Sequence, residues 1–235
     1  MGFTAPAFSW RTAMKIIAHI NTDFKEKFGI PRQSGLVEET VGRIIVEKEY
    51  AVEEAFRGLE EFSHIWVLWK FSKAERDKWS PTVRPPLLGG NKRMGVFATR
   101  SPFRPNPIGL SCVKLDRIEK TDGKIVLYVK GADLLDGTPV YDIKPYLPYA
   151  DSYPHATAGF TQSLEERRVD VVVDCDRFYD IPKKRQGEIL KILSLDPTPS
   201  YKEDGREYGM KYADYELKFY INDKILHLTD VTKIV

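Results

Sequence analysis

Cysteine and histidine are scarce in this 235-residue chain, which has two cysteines and four histidines. Cys112 and Cys175 stand far apart in strand-like contexts, so we expect buried, reduced thiols and a cytoplasmic compartment rather than a disulfide framework. The histidines, at positions 19, 64, 155 and 227, lack the spacing of a zinc site, and we expect no metal. His64 lies within an apolar run and is interpreted as a hydrogen-bonded core residue.

Long hydrophobic runs and the common ligand-binding signatures are also absent. The longest apolar run, near Ile65–Leu68, is far too short to span a bilayer, so no membrane association is expected. Residues 1–13 contain no apolar segment of signal-peptide length and are interpreted as a short extension. The chain has no GxGxxG loop after a strand, no Walker loop and no GxSxG elbow, so the usual signatures of Rossmann enzymes, P-loop NTPases and α/β-hydrolases are excluded.

Short strand-like runs dominate what is present. They occur at Lys15–Ile20, Gly42–Val46, His64–Phe71, Met94–Arg100, Ile108–Ile118 and Lys124–Lys130. Few helices and no repeated β-α-β alternation predict a mainly β fold with α additions, in which an antiparallel sheet closes into a small barrel. Helical spacing predicts a helix over Val52–Leu59, and the continuous apolar run His64–Phe71 predicts a strand buried on both faces, with Trp66 and Trp69 in the core.

A second, small α+β unit is predicted after a linker over Asp151–Thr161, which is rich in turn-forming residues. Its predicted strand, helix and hairpin strands are Val169–Val173, Lys183–Leu195, Tyr212–Tyr220 and Ile225–Leu228, with the hairpin turning at Asn222-Asp223. A unit of about 70 residues is small enough to need its partner for a good core.

Positive charge is concentrated around one proline-rich loop, although the formal net charge is only +2. Residues 73–120 hold eleven basic and four acidic side chains, an arrangement that favours polyanions such as nucleic acid. Within this region the segment ATRSPFRPNPIGL has prolines at 102, 105 and 107, which stiffen the loop that carries Arg100, Ser101, Arg104 and Asn106. The alternative is a stiff surface connection with solvated arginines.

Five motifs in order give a more specific indication. They are KFGIPRQSGL, RGLEEFSHIWVLW, RPPLLGGN, ATRSPFRPNPIGL and DLLDGTPVYDIKPYLPYADS, and the tail adds SLDPTPSYKEDGREYG. Together they resemble the TrmO/TsaA-like family of S-adenosylmethionine-dependent tRNA methyltransferases. The resemblance implies a TsaA-like β-barrel methyltransferase domain over residues 14–152 and a small C-terminal α+β domain over residues 161–235 that binds tRNA.

The resemblance also implies a set of residues that hold S-adenosylmethionine. They are Gln33, Ser34, Gly35, Ser72, Lys73, Arg100, Leu110, Gly131, Ala132, Asp133 and Leu134. The planar fork of Arg100 suits a carboxylate, Asp133 suits the ribose or the amino group, and Gly35 and Gly131 suit close approach of backbone to a ligand. Ser72-Lys73 can equally be an exposed strand end, and Asp136-Gly137 a structural turn.

The acceptor that the resemblance implies is a tRNA adenosine beside the anticodon that already carries an N6-threonylcarbamoyl group. Loss of the N6 proton calls for a base or orienting group, for which Asp142 is the candidate, with Tyr146 stacking or hydrogen bonding. Lys144 is expected to bind a substrate carboxylate or phosphate. Arg104 and Asn106 are expected to hold the threonyl carboxylate or the adenine edge. Asp142 and Lys144 can instead form a surface ion pair, and Tyr146 can serve in packing.

Partners follow from the same resemblance: tRNA with a threonine-type anticodon loop, and a second copy of the chain in a homodimer. Aromatic and basic residues interleave in the tail at Tyr201, Lys202, Arg206, Tyr208 and Lys211, a pattern that suits RNA but also an ordinary hydrophilic loop. If this tail only binds RNA, removing residues 161–235 should spare cofactor binding. A non-catalytic RNA- or S-adenosylmethionine-binding barrel and a methyltransferase with another acceptor remain as alternatives.

Overall fold

The computed structural model describes residues 14–74, 78–85, 88, 92–162, 168–198 and 205–234. The predicted extension over residues 1–13, most of the motif RPPLLGGN, and Tyr201 and Lys202 of the tail lie outside these described residues.

A closed barrel of six antiparallel strands forms the first half of the molecule, as the sequence predicts. The strands of this half are β1 (Ala18–Thr22), β2 (Val41–Val46), β3 (His64–Lys70), β4 (Thr82–Val83), β5 (Met94–Gly95), β6 (Ile108–Thr121), β7 (Lys124–Lys130) and β8 (Thr138–Pro145). Around the barrel the order is β1-β2-β7-β6-β3-β8, and β4 pairs with β5 in a separate ribbon. Side chains that alternate along each strand point inward and fill the barrel.

Strand β3 shows this alternation and corrects one expectation. Ile65, Val67 and Trp69 are buried, whereas the residues between them are half-buried on the outer face. The prediction that the strand is buried on both faces was therefore wrong, and so was the assignment of His64 and Trp66 to the core. Trp69 does lie in the core.

Two other local predictions were wrong for identifiable reasons. Val52–Leu59 does not form an α-helix, because Gly58 adopts a left-handed conformation (φ 85°) between two short 3-10 turns, Glu53–Phe56 and Leu59–Glu61. The strand expected over Met94–Arg100 ends at Gly95 and continues as a 3-10 turn, Val96–Ala98. The carbonyl of Val96 in that turn accepts hydrogen bonds from side chains of the proline-rich loop.

The second half is a four-stranded sheet covered by one helix. After the short helix α1 (Pro148–Asp151), its elements are β9 (Asp170–Val173), α2 (Lys183–Ser194), β10 (Glu207–Tyr212), β11 (Tyr215–Asn222) and β12 (Ile225–Lys233), with sheet order β10-β11-β12-β9. The helix buries Ile189, Ile192 and Leu193 at the three- and four-residue spacing of one helical face. The β11–β12 turn lies at Asp223-Lys224, one residue after the predicted position, and both residues have positive φ.

The core of this second half includes residues from the segment between β1 and β2, residues 23–40, which we call the connecting segment. Phe24 and Val37, both almost fully buried, belong to the hydrophobic cluster formed by α2 and the second sheet. The connecting segment therefore contributes to the core of the second half, while the barrel has a separate core of its own. Among the described residues no helix is long and apolar enough to cross a membrane. Both cysteines are free and half-buried rather than buried, and burial raises the pKa of each thiol.

Candidate active site

The candidate site lies where strand β6 extends beyond the end of its neighbour β7. Pairing between β6 and β7 begins at Lys114 and Lys130, so residues 108–113 of β6 pair with β3 on one side only. The connecting segment lies along the other side, where the backbone N–H of Cys112 donates to Ser34 Oγ at 3.1 Å. Because this edge of β6 is not paired with β7, the predicted loop around Ser34 can lie along it. The loop there contacts the residues that follow β7.

Two glycines make that close approach possible. The N–H of Gly35 donates to the carbonyl of Gly131 at 2.9 Å, and both residues have positive φ, 81° and 73°. A Cβ atom on Gly131 would lie 3.0 Å from both the N and the Cα of Gly35. The sequence predicts close backbone approach at these two glycines, and the structure shows that part of it is approach to each other.

A hydrogen-bonded chain leads from the barrel core to Asp133. The indole N–H of Trp69 donates to Ser111 Oγ at 3.0 Å, and the Ser111 hydroxyl donates to Asp133 Oδ1 at 2.7 Å. Burial raises the pKa of Asp133 to about 6, although the Ser111 hydrogen bond and the nearby Arg100 charge favour the ionised form. Ser111 was not among the predicted site residues, because nothing in its spacing distinguishes it from other inward-facing residues of β6.

Arg100 completes the group at the barrel mouth. Its guanidinium donates to the side-chain oxygen of Gln33, and its positive charge acts on Asp133. The structure therefore brings together Gln33, Ser34 and Arg100 from separate parts of the chain, beside Asp133. An exposed cation and a partly enclosed carboxylate at one opening can bind a ligand that carries both charge signs.

Two of the predicted cofactor residues have side chains that point into the barrel and not toward the group formed by Gln33, Arg100 and Asp133. The side chains of Ala132 and Leu134 are buried in the barrel, and their carbonyls accept hydrogen bonds from Thr40 and Thr22. Leu110, in contrast, is 53% exposed on the outer side of β6. The side chains of residues 132 and 134 are therefore not placed to contact a ligand at the barrel mouth.

Ser72 and Lys73 follow β3 in a turn next to the proline-rich loop. Phe71 N–H donates to the carbonyl of Pro107 at 2.9 Å, which ties the strand end to the loop. The carbonyl of Lys73 accepts a hydrogen bond from Lys27 of the connecting segment. This turn at the end of β3 therefore contacts both the proline-rich loop and the connecting segment, and it does so through backbone atoms.

The Arg104 side chain stabilises the proline-rich loop through hydrogen bonds to nearby backbone carbonyls. Its guanidinium donates to three backbone carbonyls, those of Ser101 at 3.0 Å, Val96 at 3.2 Å and Thr99. Together these charged hydrogen bonds hold the loop that carries Arg100. Asn106 is exposed on the same loop, with its carbonyl accepting from Ile108 N–H at 2.8 Å.

The predicted acceptor residues lie on the outer face of the barrel. Asp142 and Lys144 form an ion pair at 3.0 Å with half-exposed side chains. The ring of Tyr146 lies 5.8 Å from that of Trp66 and 6.3 Å from that of His64. Within the described part of the chain, no hydrogen bond or ion pair joins these residues to Arg100 or Asp133.

Strand register nevertheless relates the two groups. Leu68 of β3 pairs with Asp142 on one side and with Leu110 on the other. Two strand spacings separate Asp142 from Leu110, about 10 Å. Leu110 therefore stands between the barrel mouth and the outer surface that carries the acceptor candidates. In the described ranges no cluster of three or more histidine, cysteine or acidic residues could hold a metal ion.

We expect binding of a cationic ligand at this site to depend on pH through Asp133. With a pKa of about 6, raised from its ordinary range by burial, Asp133 is ionised above that pH and neutral below it. Affinity for S-adenosylmethionine, the cofactor that the resemblance implies, should be constant above about pH 7 and fall by up to about tenfold per pH unit below about pH 6. Calorimetric titrations between pH 5 and pH 8 measure this.

Two variants control this prediction. Asp133→Asn should bind weakly at every pH in the range. Ser111→Ala removes a hydrogen bond that favours the ionised carboxylate, so the midpoint should move to higher pH. An unchanged midpoint in Ser111→Ala would contradict the role given to the Trp69–Ser111–Asp133 chain.

Arg104→Ala should weaken cofactor binding as well as tRNA turnover. The sequence suggests that Arg104 affects mainly tRNA and Arg100 mainly cofactor, but the three carbonyl contacts of Arg104 support the loop that carries Arg100. We expect a loss of about 1–3 kcal/mol in unfolding free energy, with weaker cofactor binding. Thermal melts and calorimetry test this; normal melting and normal cofactor affinity, with tRNA turnover alone reduced, would favour the simpler division of roles.

Comparisons with known proteins cover both halves of the chain. The family model for the tRNA-methyltransferase O N-terminal domain matches residues 19–152, and that for the TrmO C-terminal domain matches residues 180–234. A tRNA (adenine(37)-N6)-methyltransferase of Escherichia coli is 43% identical over 216 residues, 88% of this chain and 92% of the relative. A Pseudomonas aeruginosa relative, 38% identical over 92% of this chain and 95% of its own, carries the provisional name S-adenosylmethionine-dependent methyltransferase RcsF.

A solved structure agrees with the fold. The crystal structure of TrmO from Pseudomonas aeruginosa superimposes with a TM-score of 0.73 at 32% sequence identity, covering 94% of this chain and 98% of that one. The similarity therefore includes both the barrel and the second half of the molecule.

Proposed function

The chain belongs to the tRNA-methyltransferase O family, and from this premise we propose that it methylates N6 of adenosine 37 in tRNA, with S-adenosylmethionine as the methyl donor. The reaction on tRNA is named for the Escherichia coli relative, and the cofactor for the Pseudomonas aeruginosa relative. We further propose that the acceptor adenosine already carries an N6-threonylcarbamoyl group, so that the product is its N6-methyl derivative. A tRNA substrate fits a cytoplasmic protein.

The observation that carries the cofactor proposal is the group of Gln33, Ser34, Arg100 and Asp133 at the barrel mouth. S-adenosylmethionine, when bound, supplies a methyl group on a sulfonium cation. The Arg100 guanidinium suits its carboxylate, and ionised Asp133 suits its amino group or ribose. Exposed Gly35 leaves backbone accessible beside them, and exposed Leu110 offers an apolar contact.

The acceptor surface is the outer face beside Leu110. Tyr146, packed near Trp66 and His64, provides an aromatic surface on which a base can stack, worth about 1–3 kcal/mol per base. Asp142 accepts or orients the N6 proton. Its ion-pair partner Lys144 releases Asp142 and binds a carboxylate or phosphate of the substrate instead. Asn106 contributes its exposed amide to the adenine edge or to the threonyl carboxylate, together with Arg104. Catalysis then depends mainly on alignment of the acceptor nitrogen with the methyl group.

Two partners complete the proposal, a tRNA with a threonine-type anticodon loop and a second copy of this chain. Phe97 is 73% exposed and its ring lies 6.1 Å from that of half-exposed Trp79, near the loop that carries Arg100. An exposed apolar patch of this kind fits a protein contact, and a homodimer would place it beside the barrel mouth.

Turnover of labelled S-adenosylmethionine with bulk tRNA tests the proposed reaction against the alternatives. We expect label in tRNA, and nucleoside mass spectrometry should locate it on the base. Cofactor binding without transfer would favour a non-catalytic binding barrel. Transfer to a different nucleoside would favour a methyltransferase with another acceptor. Asp142→Asn is the matched variant, because it removes the proposed base without changing the size of the side chain.

A further inference from the structure

The connecting segment belongs structurally to both halves of the molecule. Phe24 and Val37 are buried in the core of the second half, and the Phe28 ring lies about parallel to those of Tyr208 and Phe219, at 6.1 and 6.3 Å. Tyr208, which the sequence offers as an RNA-stacking residue, is therefore engaged in packing against this segment. A segment without regular structure loses conformational entropy on ordering, and these contacts offset that loss.

A partly buried ion-pair cluster fixes the start of the segment. Arg185 of α2 contacts both Asp23 and Glu188, at 2.6 Å each, and Glu188 is almost fully buried. Tyr212, also buried, donates its hydroxyl hydrogen to Glu188 at 3.2 Å. The N–H of Ala213 donates to the carbonyl of Asp23 at 2.8 Å. Residues of the second half thus bind both the side chain and the backbone of Asp23.

Further contacts lie on each side of the three predicted cofactor residues, Gln33 to Gly35. Before them, Arg32 donates to the carbonyl of Asp196, just after α2, at 2.9 Å. After them, Glu39 forms an ion pair with Lys191 of α2. The cofactor residues therefore belong to a short stretch of chain that is attached at both ends to the second half. The same stretch contacts the first half through Gln33, Ser34 and Gly35.

We infer that the C-terminal half positions the cofactor loop, with Arg185 as the principal positioning residue, so that S-adenosylmethionine affinity depends on residues that do not contact the cofactor. The inference rests on the proposed cofactor site. It also reverses the expectation that removal of residues 161–235 spares cofactor binding, because that removal would expose Phe24 and Val37 and release Asp23.

The test uses the full-length chain and substitutions in the second half only. Arg185→Ala should raise the dissociation constant for S-adenosylmethionine by about tenfold, within the usual range of coupling between sites. The turnover number at saturating cofactor and tRNA should change by less than about twofold, since the acceptor surface is unaffected. Arg185→Lys, which retains the charge, should recover part of the affinity. Arg177→Ala is the matched control, because it breaks an ion pair with Asp230 in the same half, away from the connecting segment.

Lys191→Ala provides a second variant with little risk to folding, because its side chain is exposed. It should weaken cofactor binding in the same direction by a smaller factor. Equal affinities in Arg185→Ala, Arg177→Ala and the unaltered protein, with all three folded at the assay temperature, would overturn the inference.

Amide hydrogen exchange separates this inference from the proposed function. Residues 23–39 should exchange at least about tenfold faster in Arg185→Ala than in Arg177→Ala, whether or not the protein binds S-adenosylmethionine. If the unaltered protein fails to bind the cofactor but the exchange difference appears, the proposed function fails and the positioning contact stands. If exchange in this segment is the same in both variants, the positioning role is wrong.

Discussion

We expect Arg100→Ala to lower the affinity for S-adenosylmethionine by about 10- to 100-fold, which corresponds to the loss of one or two charged hydrogen bonds at a partly exposed site. Arg100 reaches the barrel mouth from the proline-rich loop, contacts Gln33 and lies close enough to act on the charge of Asp133. Its planar fork is a cationic group whose geometry suits a carboxylate. Calorimetric titration with the cofactor measures the loss directly.

Two variants make this result specific. Arg100→Lys keeps the charge but loses the planar fork, so its affinity should fall between those of the other two proteins. Arg93→Ala removes another exposed arginine of the same basic region, whose contact is with Thr82 at 3.4 Å, and should leave the affinity unchanged. Equal losses in Arg93→Ala and Arg100→Ala would indicate general electrostatic attraction instead of a defined contact.

Gly131→Ala should weaken cofactor binding through its effect on the backbone. Alanine at φ 73° costs about 1–2 kcal/mol in the left-handed region. Its Cβ would also lie 3.0 Å from backbone atoms of Gly35, which forces the loop away from the chain that follows β7. We expect at least a tenfold loss of affinity, because this loop carries Gln33 and Ser34.

Gly123→Ala separates the two effects of that substitution. Gly123 has nearly the same φ, 72°, but a Cβ there would meet no atom within 4 Å. Both variants should lose about 1–2 kcal/mol of unfolding free energy from backbone strain, measured by denaturant titration. Only Gly131→Ala should lose cofactor affinity; a similar loss in Gly123→Ala would mean that general destabilisation, and not the Gly35 contact, is responsible.

The sequence predicts the barrel because it has many short strand-like runs, few helices and no repeated β-α-β alternation. Strand β8 was not predicted, since Pro139 and Pro145 interrupt its pattern, yet it closes the barrel between β1 and β3. Trp66 illustrates a different error. An apolar run does not distinguish a strand buried on both faces from one whose outer face carries half-buried aromatic residues.

The candidate site was predictable only in part. The resemblance supplies Gln33, Ser34, Arg100 and Asp133, and the structure places them together. Ser111 was missed, because its importance comes from contacts across strands with Trp69 and Asp133 and not from any local motif.

The contacts between the cofactor loop and the second half could not be predicted from the sequence either. Phe24 and Val37 are isolated apolar residues in a loop, and nothing local shows that they enter a distant core. Contacts between residues more than a hundred positions apart, such as Asp23 with Arg185, require the folded chain.

Methyl transfer to defined tRNA tests the proposed function most directly. Threonine tRNA is prepared with and without the threonylcarbamoyl group, incubated with labelled S-adenosylmethionine and this protein, and analysed by nucleoside mass spectrometry. We predict N6-methyl-threonylcarbamoyladenosine from the premodified tRNA and no product from the unmodified tRNA. Absence of product from both, with cofactor binding confirmed by calorimetry, would contradict the proposed reaction.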